Sequence, residues 1–371
     1  MKQIVVVGAG KIGTTIARFL SGTGDYAVTL VDCEAAQIEA IKQTSLLRTA
    51  VVDVTNEAAL GQMLSGKFAV LSAAPFFLTT LIARAAAAAG VHYLDLTEDV
   101  RSTREVIEMS KTAKSAFVPQ CGLAPGFVSI VTSDLAKRFD SLDTLKLRVG
   151  ALPQFPTNAL GYNLTWSTDG VINEYIEPCE AIVEGKRMLV PALEEREEIL
   201  LDGVKYEAFN TSGGLGSLCE TFEGKVRTLN YRTMRYPGHC AVMKMLLQDL
   251  DLRNRRPVMK DILEHALPAT GQDVVLVVVT ATGYRNGRLI EESHISDVKN
   301  GEIFGEDFSA IQITTAAGIC TVLDLLVGGK LPQSGFIKQE EILLSDFRKN
   351  RFGGLYWGEG TLDAKRPAAV A

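Results

Sequence analysis

Residues 4–31 contain the pattern that most restricts how this chain can fold. An apolar run, a glycine-rich turn, a helix-spaced stretch and a second apolar run follow one another there. Such runs and a period of about 3.6 residues predict a strand, a turn, a helix and a second strand. The glycines of the turn, Gly8, Gly10 and Gly13, have the spacing G-x-G-x-x-G. This unit is typical of a doubly wound parallel α/β sheet that binds a dinucleotide.

The same unit predicts where a dinucleotide would bind. Its glycines permit the tight turn and the approach of a pyrophosphate, which the N–H groups of the following helix would face. Asp32 ends the second strand, where an acid accepts ribose hydroxyls, and no Arg or Lys follows directly to receive a 2′-phosphate. NAD is therefore favoured over NADP, although a glycine-rich turn of another α/β fold is an alternative. The cofactor residues assigned in this unit are Gly8, Gly10, Lys11, Ile12, Gly13 and Asp32.

Composition excludes several classes of function. The chain has 371 residues, 47% of them hydrophobic, and a net charge of −6, which argues against a general affinity for nucleic acid or acidic membranes. We expect no membrane span and no signal peptide, because no run of 18 apolar residues occurs and the first strand begins near residue 3. The six cysteines form no C-x-x-C pair, so we expect no metal site and no disulfide framework. A reducing cytoplasm fits this cysteine usage.

Two further strand ends supply candidate cofactor contacts, because ligands of doubly wound sheets lie beyond the carboxyl ends of strands. The predicted third strand, residues 48–54, ends near Asp53 and Val54. An acid there often lies near the adenine, but a polar strand end is an equal alternative. The predicted fourth strand, residues 68–72, opens into a loop that we expect along the cofactor. Its assigned cofactor residues are Ser72, Ala74 and Pro75.

Side chains that could carry out chemistry follow the fifth and sixth predicted strands. Asp95 and Glu98 end the fifth strand, and Thr97 between them could be a helix N-cap. Capping could account for Glu98 through the helix dipole but accounts poorly for Asp95, which lies inside an apolar strand end. Cys121 lies in a Gly- and Pro-rich loop after the sixth strand, where a buried packing role and a site role are both open. These three residues are the catalytic candidates.

After about residue 145 the pattern changes, and the predicted strands have longer connections and a more antiparallel character. Residues 225–239 read KVRTLNYRTMRYPGH, a density of cations that predicts capture of an anionic ligand in an acidic protein. Arginine suits a carboxylate because its planar fork binds both oxygens. A solvated positive face is the alternative. The substrate-binding candidates are Lys225, Arg235 and His239.

These changes divide the chain into three predicted parts. Residues 1–126 form the dinucleotide-binding domain, and residues 127–313 form a second α+β domain for substrate binding and dimerisation. Residues 314–371 contain an apolar, helix-spaced segment that we expect to return to the first domain, followed by a tail. The predicted fold class is α/β, with an N-terminal Rossmann doubly wound parallel sheet, a second α+β domain and a C-terminal helix that returns to the Rossmann domain.

Several segments together resemble the saccharopine dehydrogenase-like family. They are VVVGAGKIG at the start, YLDLTED at the fifth strand end, the loop QCGLAPG, the segment YRTMRYPGH and the late GFIKQEE. The glycine turn is generic, but YLDLTED, CGLAPG and RYPGH in this order are more specific, and the resemblance spans nearly the whole chain. Within the family, the chain most resembles the lysine 6-dehydrogenases.

The resemblance implies an NAD-dependent oxidoreductase that removes the ε-amino group of L-lysine. It implies that Asp95 and Cys121 lie near the nicotinamide and that Arg235 and His239 face the substrate, a small amino acid with a carboxylate. We nominate Asp95 as the proton acceptor, with Glu98 as the second candidate. One departure is that Phe76 stands where relatives acting on saccharopine tend to have a tyrosine. Family members commonly form homo-oligomers, and we expect the same here.

Three other functions remain open. Glutamate-forming saccharopine oxidation is the same chemistry at a secondary amine, and a carboxynorspermidine dehydrogenase activity would form or break a related C–N bond. The alternative outside the enzymes is a non-enzymatic protein with the same fold that senses NAD. Turnover of amines with NAD or NADP distinguishes these functions.

Overall fold

The computed structural model describes residues 1–359 and Leu362, so the rest of the predicted tail lies outside the described residues. The chain divides into two compact units. Among the described residues, unit 1 contains Met1–Phe127, Glu302–Glu306 and the part of the chain that follows Ile311, and unit 2 contains Val128–Gly301 and Asp307–Ile311.

Unit 1 is organised around a parallel sheet. Its first six strands are β1 (Lys2–Val7), β2 (Tyr26–Asp32), β3 (Leu47–Val51), β4 (Ala69–Ser72), β5 (His92–Asp95) and β6 (Ala116–Val118). They lie in the order β6-β5-β4-β1-β2-β3, and a short strand, Gly335–Phe336, pairs with β6. The sheet extends in both directions from β1, which is the doubly wound arrangement. The predicted fold class is confirmed.

Helices connect these strands, as a parallel sheet requires. They are α1 (Lys11–Gly22), α2 (Ala35–Glu39), α3 (Glu57–Leu64), α4 (Thr79–Ala89) and α5 (Val100–Ser110). The predicted end of α4 is confirmed: Gly90 adopts the left-handed conformation at φ +66°, a region that glycine enters without a Cβ clash. The inner strand β4 is buried on both faces, whereas the edge strand β3 is partly exposed. Valines of β1 and β4 lie in a core that also contains α3 and α4 side chains. Every strand therefore ends at one edge, where its last residues can face a ligand.

Unit 2 contains a mixed sheet. Its strands are β7 (Ser141–Pro153), β8 (Cys179–Val183), β9 (Lys186–Val190), β10 (Glu197–Leu201), β11 (Val204–Asn210), β12 (Thr228–Arg235), β13 (Asp273–Arg285) and β14 (Arg288–Lys299). The main path is β10-β11-β12-β7-β13-β14, and β8 pairs with both β12 and β9. Only β12 and β7 are parallel, and the other pairs are antiparallel. The predicted antiparallel character of this region is confirmed.

The helices of unit 2 bury an aromatic core that positions the candidate cation. They are α6 (Phe127–Ala136), α7 (Thr168–Ile176), α8 (Leu218–Phe222), α9 (His239–Lys244) and α10 (Arg256–Ala266). Tyr175 of α7, Phe209 of β11 and Met243 of α9 belong to one buried cluster. Because α9 begins four residues after β12 ends, Arg235 and His239 lie at the same margin of this cluster.

The last part of the described chain contains a hairpin and two α-helices: β15 (Gly301–Ile303), β16 (Glu306–Phe308), α11 (Ala310–Val327) and α12 (Leu344–Lys349). By length and composition α11 could cross a membrane, with a mean hydropathy of 1.8, but 78% of it is buried inside the protein. Within unit 1, Gly318 of α11 lies so close to the loop after β6 that an added Cβ would be 2.6 Å from the Cys121 carbonyl oxygen. The predicted return of this helix to the Rossmann sheet is confirmed.

Candidate active site

In the glycine turn after β1, only one of the three glycines, Gly10, has free space where a Cβ would lie. Gly8 has φ +99°, and an added Cβ would lie 2.7 Å from the Ala73 carbonyl oxygen. At Gly13 an added Cβ would lie 1.8 Å from the Gly8 carbonyl oxygen, which only close helix–strand packing explains. At Gly10 nothing lies within 4 Å. Gly8 and Gly13 are therefore required by the fold, whereas the space beside Gly10 is suited to a ligand that approaches the backbone.

The N-terminus of α1 adjoins this open space. Gly10 is the N-cap and has no side chain that could accept from the first-turn N–H groups. Lys11 is exposed and Ile12 is half-buried at the same end. Uncapped N–H groups at the positive end of a 12-residue helix form an anion site of the kind that binds a pyrophosphate.

Asp32 is fixed at the end of β2 beside the same turn. Its Oδ2 accepts a hydrogen bond from the Ala9 N–H at 2.7 Å, and its Oδ1 accepts one from the Glu34 N–H at 2.9 Å. Each carboxylate oxygen has two acceptor positions, so each retains one for a further donor such as a ribose hydroxyl. Cys33 and Glu34 are exposed beside it, and neither could pair with a 2′-phosphate.

The other cofactor candidates divide into two groups. The β4 loop lies beside the glycine turn, since the Ala73 N–H donates to the Val7 carbonyl at 2.8 Å. Ser72 at its start is buried, while Ala74 is half-buried and Pro75 is exposed. The structure thus brings the β4 loop and the glycine turn together.

Asp53 and Val54 lie beyond β3, which ends at Val51 and is shorter than the predicted strand. Asp53 is exposed and accepts from both the N–H and the hydroxyl of Thr55, at 2.9 and 2.7 Å. These bonds lower the pKa of the Asp53 carboxyl. They form an Asx-type turn before α3, so the open alternative of a polar strand end describes this geometry. Val54 is buried.

Asp95 is enclosed by donors at the end of β5. Its Oδ2 accepts from the Tyr93 hydroxyl at 2.7 Å, and its Oδ1 accepts from the N–H groups of Gln120 and Thr97 at 2.8 and 3.1 Å. Burial raises the pKa of the carboxyl to about 6, although these bonds act in the opposite direction. Asp95 therefore connects the loops after β5 and β6: its Oδ1 has two donors, its Oδ2 has one, and the residue is 1% exposed.

Glu98 lies three residues further, in a different environment. It is half-buried and precedes α5, whose N-cap is Asp99. Burial raises the pKa of Glu98 to about 7, and the nearby charges of Asp99 and Asp95 act in the same direction. A carboxyl with a pKa near neutrality can accept and release a proton at physiological pH.

Cys121 is buried in the loop after β6. Its Sγ donates to the Val118 carbonyl at 2.9 Å and accepts from the Gln339 side-chain N–H at 3.2 Å. Burial, with the Asp95 charge as a second cause, raises the pKa of the thiol well above its usual value. The geometry therefore gives a neutral thiol that anchors the loop, whereas nucleophilic chemistry requires a thiolate.

In unit 2, Arg235 is buried at the end of β12 among aromatic rings. Its Nε donates to the Tyr175 hydroxyl at 2.9 Å, and its Nη1 donates to the Met234 carbonyl at 2.8 Å. The guanidinium carbon lies 5.0 Å from the centre of the Tyr162 ring. Both of these hydrogen-bond acceptors are neutral oxygens, and the buried Glu174 carboxylate interacts with the guanidinium electrostatically. A buried guanidinium held in this way is suited to an anionic partner.

His239 lies next to Arg235, but Lys225 does not. The His239 ring contacts Tyr175 through Nε2 at 3.0 Å, and its pKa is lowered to about 3 by burial and by the Arg235 charge. Lys225 is exposed and donates to the Thr221 carbonyl. Lys225 precedes β12, whereas Arg235 is the last residue of this eight-residue strand. At about 3.3 Å per residue, the strand places the two side chains roughly 20 Å apart. The structure therefore separates Lys225 from the other two candidates.

Three residues with potential roles were missed in the sequence. Tyr175 orients Arg235, Gln339 contacts Cys121, and the buried Tyr162 hydroxyl has no hydrogen-bond partner among the described residues. A buried hydroxyl without a partner can be satisfied by a bound polar ligand. Tyr175 and Gln339 lie far in sequence from the residues that they contact, and no local motif marks Tyr162, so the sequence alone does not identify them. No group of three or more His, Cys, Asp or Glu in residues 1–359 and 362 is placed to hold a metal ion.

Comparisons with known proteins agree with this architecture. Residues 4–118 match the saccharopine dehydrogenase NADP binding domain, and residues 122–352 match the saccharopine dehydrogenase C-terminal domain. A solved structure of apo saccharopine dehydrogenase (L-Glu forming) from Saccharomyces cerevisiae is similar with a TM-score of 0.73 at 16% identity. The similarity covers 92% of this chain and 94% of that one.

Curated relatives are more distant in sequence. The mitochondrial alpha-aminoadipic semialdehyde synthase of Mus musculus is 22% identical over 192 residues, which cover 50% of this chain and 21% of that protein. The saccharopine dehydrogenase (NADP(+), L-glutamate-forming) of Saccharomyces cerevisiae is 24% identical over 177 residues, covering 46% of this chain and 40% of that protein. The chain thus spans less than half the length of these relatives. Because the two domain models together match most of its residues, the chain belongs to the saccharopine dehydrogenase family.

Proposed function

We propose that this protein is an NAD-dependent oxidoreductase that oxidatively deaminates the ε-carbon of L-lysine. Family membership supports oxidation of an amino-acid C–N bond, and the sequence resemblance to lysine 6-dehydrogenases supports lysine as the substrate. When bound, the nicotinamide would accept a hydride from the carbon that carries the nitrogen. Water then adds to the resulting iminium and ammonia leaves, which yields the aldehyde.

The observation that carries this proposal is an acid with a near-neutral pKa beyond the sheet edge. The lysine ammonium has a pKa of about 10.4, and hydride removal requires the nitrogen lone pair, so a base must take its proton. Glu98 is half-buried with a pKa raised to about 7 by burial. Asp95 is only 1% exposed, and three protein donors contact its two oxygens. We therefore propose Glu98 as the proton acceptor, with Asp95 in a supporting role.

We propose that Arg235 binds the α-carboxylate of the substrate. Its guanidinium is buried, and its described acceptors are a phenol and a backbone carbonyl. The buried Glu174 carboxylate interacts with Arg235 electrostatically. A substrate carboxylate would add a charged hydrogen-bond acceptor, through the paired geometry that arginine favours. The exposed Lys225 has no part in this proposal.

We propose NAD as the cofactor because of the end of β2. Asp32 keeps acceptor positions for ribose hydroxyls, and its negative charge, with that of Glu34, would repel a 2′-phosphate. The family's domain carries NADP in its name, so a comparison of the two nucleotides is a direct test.

Saccharopine oxidation is the second candidate, favoured by the names of the relatives. Purified protein assayed with L-lysine, saccharopine and carboxynorspermidine, each with NAD and NADP, distinguishes the candidates through the absorbance of the reduced nucleotide. We expect turnover of lysine with NAD. Turnover of saccharopine alone would replace lysine as the substrate, and nucleotide binding without turnover of any amine would favour a sensor. We further propose that the protein is cytoplasmic and forms a homo-oligomer. Size-exclusion chromatography with light scattering tests the oligomeric state.

A further inference from the structure

Both ring nitrogens of His239 are occupied by protein groups. Nδ1 lies 3.0 Å from the Leu160 carbonyl oxygen, and Nε2 lies 3.0 Å from the Tyr175 hydroxyl. The ring is 1% exposed and is surrounded by the rings of Tyr162, Tyr175 and Phe209, with centroids at 5.4, 5.8 and 6.2 Å. The imidazole therefore has no edge left for a substrate.

The chemistry of these partners fixes the direction of the hydrogen bonds. A carbonyl can only accept, so Nδ1 must carry the proton that His239 donates to Leu160. The neutral ring then has a lone pair on Nε2, which accepts the single proton of the Tyr175 hydroxyl. The phenol oxygen is thereby left to accept from Nε of Arg235, at 2.9 Å. Each bond orients the next, as in other buried polar chains.

The carbonyl at the start of this chain is itself held in place. Asn158 donates to the Tyr162 carbonyl at 2.7 Å and accepts at its own carbonyl from the Gly161 N–H at 2.9 Å. These bonds close a turn around Leu160. The Leu160 carbonyl, which accepts from His239, is thus a backbone group held in a turn rather than part of a flexible side chain.

We propose that His239 is a positioning residue, which acts through Tyr175 to fix the plane of the Arg235 guanidinium so that its outer N–H groups face a substrate carboxylate. This inference rests on the proposed function, because it assigns the use of Arg235 to carboxylate binding. It differs from a direct substrate contact by His239, since the imidazole would touch only protein. It also specifies one tautomer, with the proton on Nδ1.

Kinetics of three variants test the positioning role. His239→Phe keeps a ring of similar shape without nitrogens, Tyr175→Phe removes the connecting hydroxyl, and the double variant removes both. Tyr175→Phe removes one hydrogen bond to the charged Arg235, so we expect it to raise KM for L-lysine about tenfold. His239→Phe frees the hydroxyl that makes this bond, so we expect a similar rise. In both variants kcat should change less than about twofold. The double variant should resemble either single variant, because both break the same chain. Multiplying effects in the double variant would overturn the proposal.

A substrate analogue provides the matched control. 1,5-Diaminopentane has the same amine chain as lysine but no carboxylate, and its inhibition constant can be measured without turnover. We expect His239→Phe to leave this constant unchanged. An equal loss of affinity for lysine and for the diamine would instead indicate general damage to the pocket and reject the positioning role. His239→Gln can offer an acceptor oxygen to Tyr175 and should recover part of the lysine affinity.

A spectroscopic test needs no substrate. The chain has four histidines, so long-range ¹H–¹⁵N spectra of histidine-labelled protein contain few signals, and loss of one set in His239→Phe identifies His239. We expect the Nδ1–H tautomer in the wild-type protein. The Nε2–H tautomer would overturn the hydrogen-bond chain even if lysine is oxidised. The expected tautomer in a protein that oxidises no amine would retain the chain and reject the proposed function.

Discussion

Asp95 and Glu98 are separated by two residues, yet their surroundings suit them to different tasks. Asp95 has three donors on its two oxygens and joins two loops, whereas Glu98 is half-buried at the start of a helix. Burial raises the pKa of both carboxyls, to about 6 and about 7. The difference lies in access, because a proton acceptor needs a lone pair that the substrate can reach.

The pH dependence of turnover should therefore follow Glu98. A base acts in its ionised form, so kcat/KM for L-lysine should rise with pH on the acidic side of the profile and reach a plateau above about pH 7. Glu98→Gln should lower kcat by about 10²- to 10⁴-fold and remove this inflection, while Asp95→Asn should retain it. Stopped-flow or steady-state profiles of the three proteins provide the measurement. An inflection that persists in Glu98→Gln and disappears in Asp95→Asn would exchange the two roles.

Glu98 should also affect stability with a defined sign. Its pKa is raised on folding from about 4.5 to about 7, so the folded protein holds the proton more tightly and loses stability as pH rises across this window. Glu98→Gln has no carboxyl to ionise and should not show this loss. Between pH 5 and pH 8, we expect the free energy of unfolding of the wild type to fall by about 2 kcal/mol more than that of Glu98→Gln. Urea unfolding at both values measures it, with Glu39→Gln on the exposed face of α2 as the control. Equal changes for both variants would contradict the buried environment of Glu98.

At the scale of elements, the glycine turn separates the needs of the fold from those of a ligand. An alanine at Gly13 would collide with the Gly8 carbonyl, whereas an alanine at Gly10 would meet no protein atom. Gly10 also has φ −68°, which any residue can adopt. The two positions of one motif are thus constrained by different partners.

Two alanine variants test this separation. Gly13→Ala should destabilise the protein by about 1–3 kcal/mol through displaced backbone. Gly10→Ala should melt at the wild-type temperature but lose at least about tenfold in affinity for NAD, because the new methyl group occupies the path of the pyrophosphate. Calorimetric melting and titration without substrate measure both effects. Unchanged NAD affinity in a folded Gly10→Ala protein would show that the pyrophosphate does not lie there.

Local sequence predicted these elements well, since the strand–helix alternation and Gly90 act through neighbouring residues. It failed at positions governed by distant partners. The strand predicted to reach Val54 ends at Val51, and a side-chain turn at Asp53 precedes α3 instead. The cations of residues 225–239 looked like one cluster in sequence, but the extended β12 separates Lys225 from Arg235. The contacts of His239 depend on Tyr175 and Leu160, which lie 64 and 79 residues away.

At the scale of the molecule, unit 1 is assembled from segments far apart in the chain, and Asp324 of α11 connects them. Its carboxylate accepts from the Tyr26 hydroxyl of β2, from the Asn350 side chain at 3.1 Å and from Arg351 at 2.9 and 3.0 Å. Arg351 also pairs with Asp25 at 2.6 Å. The carboxylate thus joins the start of the sheet, the late helix and the segment after α12.

Asp324→Asn should destabilise unit 1 strongly, because it removes the charge from a largely buried group that has four donors. We expect a loss of about 2–4 kcal/mol in the free energy of unfolding, typical of breaking a buried charged network. Asp346→Asn is the matched control, since its partner Lys330 is exposed and such surface pairs contribute about 0–1 kcal/mol. Urea unfolding followed by circular dichroism measures both variants. If the two losses were equal, Asp324 would be one surface charge among others, and the return of α11 would depend on apolar packing alone.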